Sequence, residues 1–66
     1  MPNMREELDQ ALHYLEDKWR RGGSGADLLH RRYLQGLYNS AVSHYESGQF
    51  DRANDFLNSF WREINV

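Results

Sequence analysis

The apolar residues of this 66-residue chain recur at steps of three and four along three segments, and no segment alternates apolar with polar residues. Because an α-helix has 3.6 residues per turn, such steps place apolar side chains on one face of a helix. Glycines stand between the segments, where helices commonly end. The spacing predicts an all-α fold with helices at about 4–20, 26–47 and 51–64. They form a small three-helix bundle, or a helical hairpin with a packed N-terminal helix, in a single domain, 1–66.

The first helix has a start signal. Asn3 is a residue type that caps helices, and Glu6, three positions later, is placed to complete a capping box. The stripe of this helix is Met4, Leu8, Ala11, Leu12, Leu15 and Trp19. Residues 22–25 (Gly-Gly-Ser-Gly) then form a short loop, in which Ser24 can cap the next helix. A loop this short predicts two antiparallel helices, and its flexibility makes it a hinge for domain swapping.

The second helix carries the widest apolar face, so we expect it to be the central element, covered on both sides. That face consists of Leu29, Tyr33, Leu34, Leu37, Tyr38, Ala41 and Tyr45. Gly36, Ser40 and Ser43 are small residues that lower helix propensity but allow another helix to approach closely.

The third helix follows Gly48, which we expect in the left-handed conformation that ends a helix. Asp51 is the expected cap of the third helix. Its stripe is Ala53, Phe56, Leu57, Phe60, Trp61 and Ile64. We therefore expect this helix to pack back against the second one.

Six residues of this second half fall at the intervals of a known repeat: Leu37, Ala41, Gly48, Phe50, Ala53 and Leu57. Their spacing resembles one tetratricopeptide repeat, although Phe60 stands where that motif has a small residue. The stretch 34–66 also resembles the FIMAH-type helical modules of bacterial extracellular enzymes. Both resemblances imply a helical hairpin with a binding or structural role. Neither implies a ligand or a functional residue, and a single repeat does not predict a peptide-binding solenoid.

No arrangement of residues in the sequence resembles an enzymatic site. The chain has no cysteine, and we find no nucleophile with its base, no phosphate-binding glycine loop of the right spacing and no carboxylates isolated on an apolar face. His30 and His44 lie about four turns apart on the second helix, too far to share a metal ion. We expect both to be histidines at the edge of the core with hydrogen-bond partners. The alternative is that they form part of a pH-sensitive interface. We expect no enzyme, no catalytic residue, no metal and no cofactor.

The small size of the chain favours self-association. A domain of this length hides only about 60% of the surface of its unfolded chain, and neither disulfides nor a metal supplement the core. We therefore expect a module that binds a partner protein and forms a homodimer. Large aromatic residues are favoured at such interfaces. The candidate partner or dimer surface is Trp19, Tyr33, Tyr38, Tyr45, Phe56 and Trp61.

Basic residues flank the glycine loop and provide the alternative function. Five of the eight lysines and arginines lie there, namely Lys18, Arg20, Arg21, Arg31 and Arg32. They form a candidate anion or nucleic-acid patch, and a small nucleic-acid-associated regulator is the second hypothesis. The net charge of −2 disfavours it. With no signal peptide and no apolar run of about 20 residues, we expect a cytoplasmic protein without a membrane span.

Overall fold

The computed structural model describes residues 3–20 and 25–65 of the chain. It contains three α-helices, α1 (Met4–Trp19), α2 (Gly25–Glu46) and α3 (Phe50–Ile64), packed against one another as a small all-α bundle. The predicted fold class is confirmed, and each helix begins and ends within one residue of its expected position. Residues 22–24, with the expected Ser24 cap and hinge, lie outside the described residues.

The start of α1 shows how a local signal places a helix. The side-chain oxygen of Asn3 accepts a hydrogen bond from the N–H of Arg5 at 2.9 Å, and the carbonyl of Asn3 accepts the N–H of Glu7 at 3.1 Å. Asn3 is therefore the predicted N-cap, but the side-chain bond goes to Arg5, one position before the donor that a capping box uses. Glu6 lies exposed in the first turn, where its negative charge suits the helix dipole.

The turn between α2 and α3 is a Schellman motif. Gly48 has φ 78°, and its N–H donates to the carbonyl of Tyr45 at 3.1 Å, while the N–H of Gln49 donates to the carbonyl of His44 at 2.8 Å. The expected role of Gly48 is confirmed. The expected cap at Asp51 is wrong, because α3 already begins at Phe50 with Gln49 as its N-cap residue. Asp51 instead lies in the first turn of α3.

The core lies where the three stripes meet, and the α2–α3 pair makes the most extensive contact. All of its fully packed members are apolar: Leu8, Ala11, Leu15, Trp19, Leu34, Ala41, Ala53, Leu57 and Phe60. Ala41 and Ala53 are completely buried, as expected for small residues that let α2 and α3 approach closely. Burial of these side chains supplies the main driving force for the fold.

The aromatic contacts show the directions of the helices. Trp19, at the end of α1, lies beside His30, near the start of α2, with ring centroids 6.4 Å apart. Farther along α2, Tyr38 lies within electrostatic reach of Asp9 and Glu16, earlier in α1. The two helices therefore run in opposite directions, as the short loop predicts.

The first turns of α2 project beyond α3, whereas Trp19 of α1 still reaches His30 there. The helix has 22 residues, whereas α3 has only 15, and α3 packs back from the Gly48 turn. At 1.5 Å per residue this difference is about 10 Å. The expectation that Leu29 and Tyr33 are covered is wrong, since they are 68% and 53% exposed. The expected close helix approach at Gly36 is also wrong within this chain, because a Cβ built there meets nothing within 4 Å.

Candidate interaction surface

The first half of α2 carries exposed apolar side chains. Leu28 is 46% exposed, Leu29 68% and Tyr33 53%. Leu29 and Tyr33 are one turn apart and share a face, while Leu28 lies about 100° to one side. Isolated exposed leucines are common on protein surfaces, but contiguous apolar side chains mark interaction sites. We name these three residues the α2 apolar patch.

A shallow groove of about 470 Å³ runs beside the patch. It exists partly because Gly36 has no side chain to fill it. Its lining combines one apolar side chain with two cations and two amides: Leu28, Arg31, Arg32, Gln35, Gly36 and Asn39. The amide of Gln35 donates to the side-chain oxygen of Asn39 at 3.1 Å, so the two amides hold each other along the groove.

The six aromatic residues expected at a partner surface occupy different surroundings. Trp19 is only 8% exposed and belongs to the core, so it offers little surface to a partner. Tyr33 is more than half exposed and lies in the α2 apolar patch. The others are half-buried against the core: Tyr38, Tyr45, Phe56 and Trp61. The structure does not bring the six together on one face.

The residues of the expected basic patch also differ in their surroundings. The ammonium of Lys18 donates to the hydroxyl of Tyr14 at 3.1 Å and lies 5.3 Å from the ring centroid of Trp19. Arg20 pairs with Asp17 at 3.4 Å, with both side chains more than 70% exposed. These cations have partners on α1 itself.

The other members of that patch are on α2 or outside the described part of the chain. Arg31 and Arg32 are exposed and line the groove beside the α2 apolar patch. Arg21 lies outside the described residues. The groove is therefore cationic at the start of α2, next to exposed leucine side chains.

The two histidines of α2 differ in their partners. Nδ1 of His44 is 2.6 Å from Oε1 of Gln49, and its ring stacks on Phe56. His30 packs beside Trp19, and its buried Nε2 has no hydrogen-bond partner among the described residues. Among the described residues, the expected hydrogen-bond partner is therefore present for His44 and absent for His30.

Tyr38 is the titratable group with a shifted pKa in the described residues. Partial burial raises the pKa of its hydroxyl above 10.0, and the carboxylates of Asp9 and Glu16 raise it further. Burial and nearby negative charges both disfavour the tyrosinate form. Tyr38 therefore stays neutral where α1 crosses α2.

Sequence reasoning missed Tyr14 and Leu28. Tyr14 meets Trp19, Phe60 and Trp61 edge-to-face at centroid distances of 6.1 to 6.5 Å, and so joins α1 to α3. The signal for Tyr14 was its position three residues after Ala11, beside the stripe. The signal for Leu28 was its position next to Leu29, because neighbouring helical residues cannot both point into one core.

No family model, no curated protein and no solved structure matches this chain. The repeat-like spacing therefore supports the α2–α3 hairpin and no family membership. None of the three helices is both long enough and apolar enough to span a membrane. Within residues 3–20 and 25–65, no three acidic, histidine or cysteine side chains are grouped so as to hold a metal ion.

Proposed function

We propose that this chain is a small protein–protein interaction module that acts through the α2 apolar patch. The observation that carries the proposal is the exposure of Leu28, Leu29 and Tyr33 on the first half of α2. Covering such side chains is favourable by roughly 25 cal/mol for each Å² of apolar surface buried. Tyrosine and arginine, which lie here beside the leucines, are also enriched at protein interfaces.

A nucleic-acid-associated role is the second candidate, and it rests on Arg31 and Arg32 in the groove. The surroundings favour a protein partner instead. Lys18 and Arg20 already have partners on α1, and Arg31 and Arg32 line the groove together with the side chain of Leu28. Phosphate contacts release counterions, so retention on DNA or RNA that falls steeply with salt would favour this second role.

The interaction role can be tested with two variants that each add one lysine at an exposed helical position. Leu29→Lys alters the α2 apolar patch, whereas Asn58→Lys alters the exposed side of α3 and serves as the control. Matching circular dichroism and thermal unfolding would show that both variants fold. Proteins captured from a lysate are then quantified for each chain.

We expect a specific partner to be retained by the unmodified chain and by Asn58→Lys, and depleted at least about tenfold with Leu29→Lys. Identical capture by all three chains would contradict a role for the patch. Loss with both variants would indicate a general charge effect and would also contradict it.

A further inference from the structure

The exposed side of α2 carries a second periodic stripe. Its positions are separated by four, three, four, three and four residues, which is the spacing that lets two helices pack along their length. The first two positions carry large side chains, and the other four are glycine or serine. We name this the outer stripe: Leu29, Tyr33, Gly36, Ser40, Ser43 and Ser47.

Nothing in the described part of the chain covers the outer stripe. Leu29 and Tyr33 are more than half exposed, and the space above Gly36 is open. Ser43 and Ser47 are exposed as well, and Ser40 is partly so. The stripe therefore lies on the side of α2 that faces away from α1 and α3.

The distribution of sizes fits an antiparallel copy of the same helix. In one antiparallel register Gly36 faces the partner's Ser40, and Tyr33 then faces the partner's Ser43. Leu29 faces the partner's Ser47 in that register, so every large side chain meets a small one. Parallel pairing would place large residues on each other and leave a gap along Gly36 and the serines.

The charges of α2 favour the same orientation. The exposed Arg32 lies near its start and the exposed Glu46 at its end. In the register given by the outer stripe, Arg32 lies within two residues, or about 3 Å along the axis, of the partner's Glu46. Two-fold symmetry repeats this pair at the other end of the contact. Parallel pairing would instead bring arginine to arginine and glutamate to glutamate.

Three polar side chains near the contact have partners in the chain. The hydroxyl of Ser47 donates to the carbonyl of Ser43 at 3.0 Å. Gln35 and Asn39, which line the groove beside the stripe, bond each other. These two hydrogen bonds can remain when the contact forms, which lowers the cost of burying these side chains.

We propose that two copies of this chain form an antiparallel dimer through the outer stripe, with Arg32 of each copy paired to the partner's Glu46. The inference rests on the proposed function and names the partner and its orientation. One helix pair of this length gives an interface at the small end of the usual range, so we expect a weak dimer that forms at high protein concentration.

Charge reversal tests the orientation through sedimentation equilibrium of the full chain. Arg32→Glu or Glu46→Arg alone should weaken the dimer roughly tenfold, because each replaces two weak attractions by repulsions. The double variant Arg32→Glu, Glu46→Arg should restore the original dissociation constant. A double variant as weak as either single one would overturn the antiparallel register.

Cysteine pairing tests the register independently, since the chain has no cysteine of its own. Leu29→Cys and Ser47→Cys chains of different mass are mixed and oxidised, with Asn58→Cys as the control. The mixed disulfide between positions 29 and 47 should form faster than any other product. Dominance of the 29–29 product would overturn the proposal in favour of a parallel pair.

The failure of this inference is distinguishable from that of the interaction role. A chain that is monomeric at every concentration overturns the dimer, while depletion of a captured protein by Leu29→Lys alone still supports the module. A dimer that Leu29→Lys leaves unchanged overturns this geometry. If capture by Leu29→Lys is unchanged as well, the α2 apolar patch has no role in dimerisation or in binding another protein.

Discussion

The imidazole of His44 lies almost parallel to the ring of Phe56, with an interplanar angle of 7° and ring centroids 5.3 Å apart. This stack joins the last turn of α2 to the middle of α3. The His44 ring is oriented by Gln49, whose side-chain oxygen lies 2.6 Å from Nδ1. The helices α2 and α3 are thus also joined by a side-chain contact outside the buried core.

Phe56→Ala removes that stack and a half-buried ring. We expect a loss of about 1–3 kcal/mol in the free energy of unfolding, below the 3–5 kcal/mol typical of fully buried phenylalanine. Urea denaturation measures the change. Phe50, which is 54% exposed, provides the control, and Phe50→Ala should cost less. A larger loss at Phe50 would contradict the packing of α3 described above.

Replacing glycine by alanine should have opposite effects on stability at Gly48 and at Gly36. Gly48→Ala places a side chain at φ 78° and should destabilise the chain by about 1–2 kcal/mol. Gly36→Ala adds a methyl group inside α2 where nothing lies within 4 Å, and should stabilise by up to about 1 kcal/mol. Both are measured by urea denaturation at concentrations where the chain is monomeric. Stabilisation at Gly48 would mean that the turn does not adopt the Schellman geometry.

The loss in free energy of unfolding on truncating a leucine to alanine should increase with the burial of that leucine. Leu57 is completely buried between α2 and α3, so Leu57→Ala should cost about 2–5 kcal/mol. Leu37 is only partly buried, and we expect Leu37→Ala to cost less than Leu57→Ala. His13 is exposed, and His13→Ala should change the free energy of unfolding little. Equal effects at all three positions would show that the helical faces are wrongly assigned.

The sequence predicts the helices but not which part of each apolar face is covered. Periodicity identifies Leu34 and Leu29 alike as members of the apolar side of α2, yet one is buried and the other 68% exposed. What separates them is direction, because five residues place Leu29 about 140° around the helix from Leu34, on the side that faces away from α1 and α3. Where α1 and α3 dock around that wide face depends on the packing of the whole bundle.

The start of α3 was mispredicted for a related reason. Asp51 is the better capping residue by type, but the two hydrogen bonds that close the Gly48 turn already bring the chain back into helical conformation at Phe50. Turn geometry overrides the capping preference there. Of the six aromatic residues predicted for a partner surface, only Tyr33 is more than half exposed, and the burial of Trp19 depends on contacts between helices that the sequence does not show.

Tyr38 makes the stability of the fold depend on pH above neutrality. Its pKa is raised in the folded state by burial and by Asp9 and Glu16, so the neutral hydroxyl is favoured there more than in the unfolded chain. That contribution to stability is fully present below pH 10.0 and is lost as the pH rises through the folded pKa. Spectroscopic titration of tyrosinate should show a late component that Tyr38→Phe removes. Tyr33→Phe, at an exposed position, should leave it in place.

The central claim is that the outer stripe of α2 is the surface through which this chain binds, and dilution followed by nuclear magnetic resonance tests it most directly. Backbone amide signals are compared between concentrated and dilute samples of the unmodified chain. We predict that the shifts that change cluster at Leu29, Tyr33, Gly36 and Ser43. Changes clustered at Phe56 and Trp61 of α3, or none at any concentration, would contradict the account.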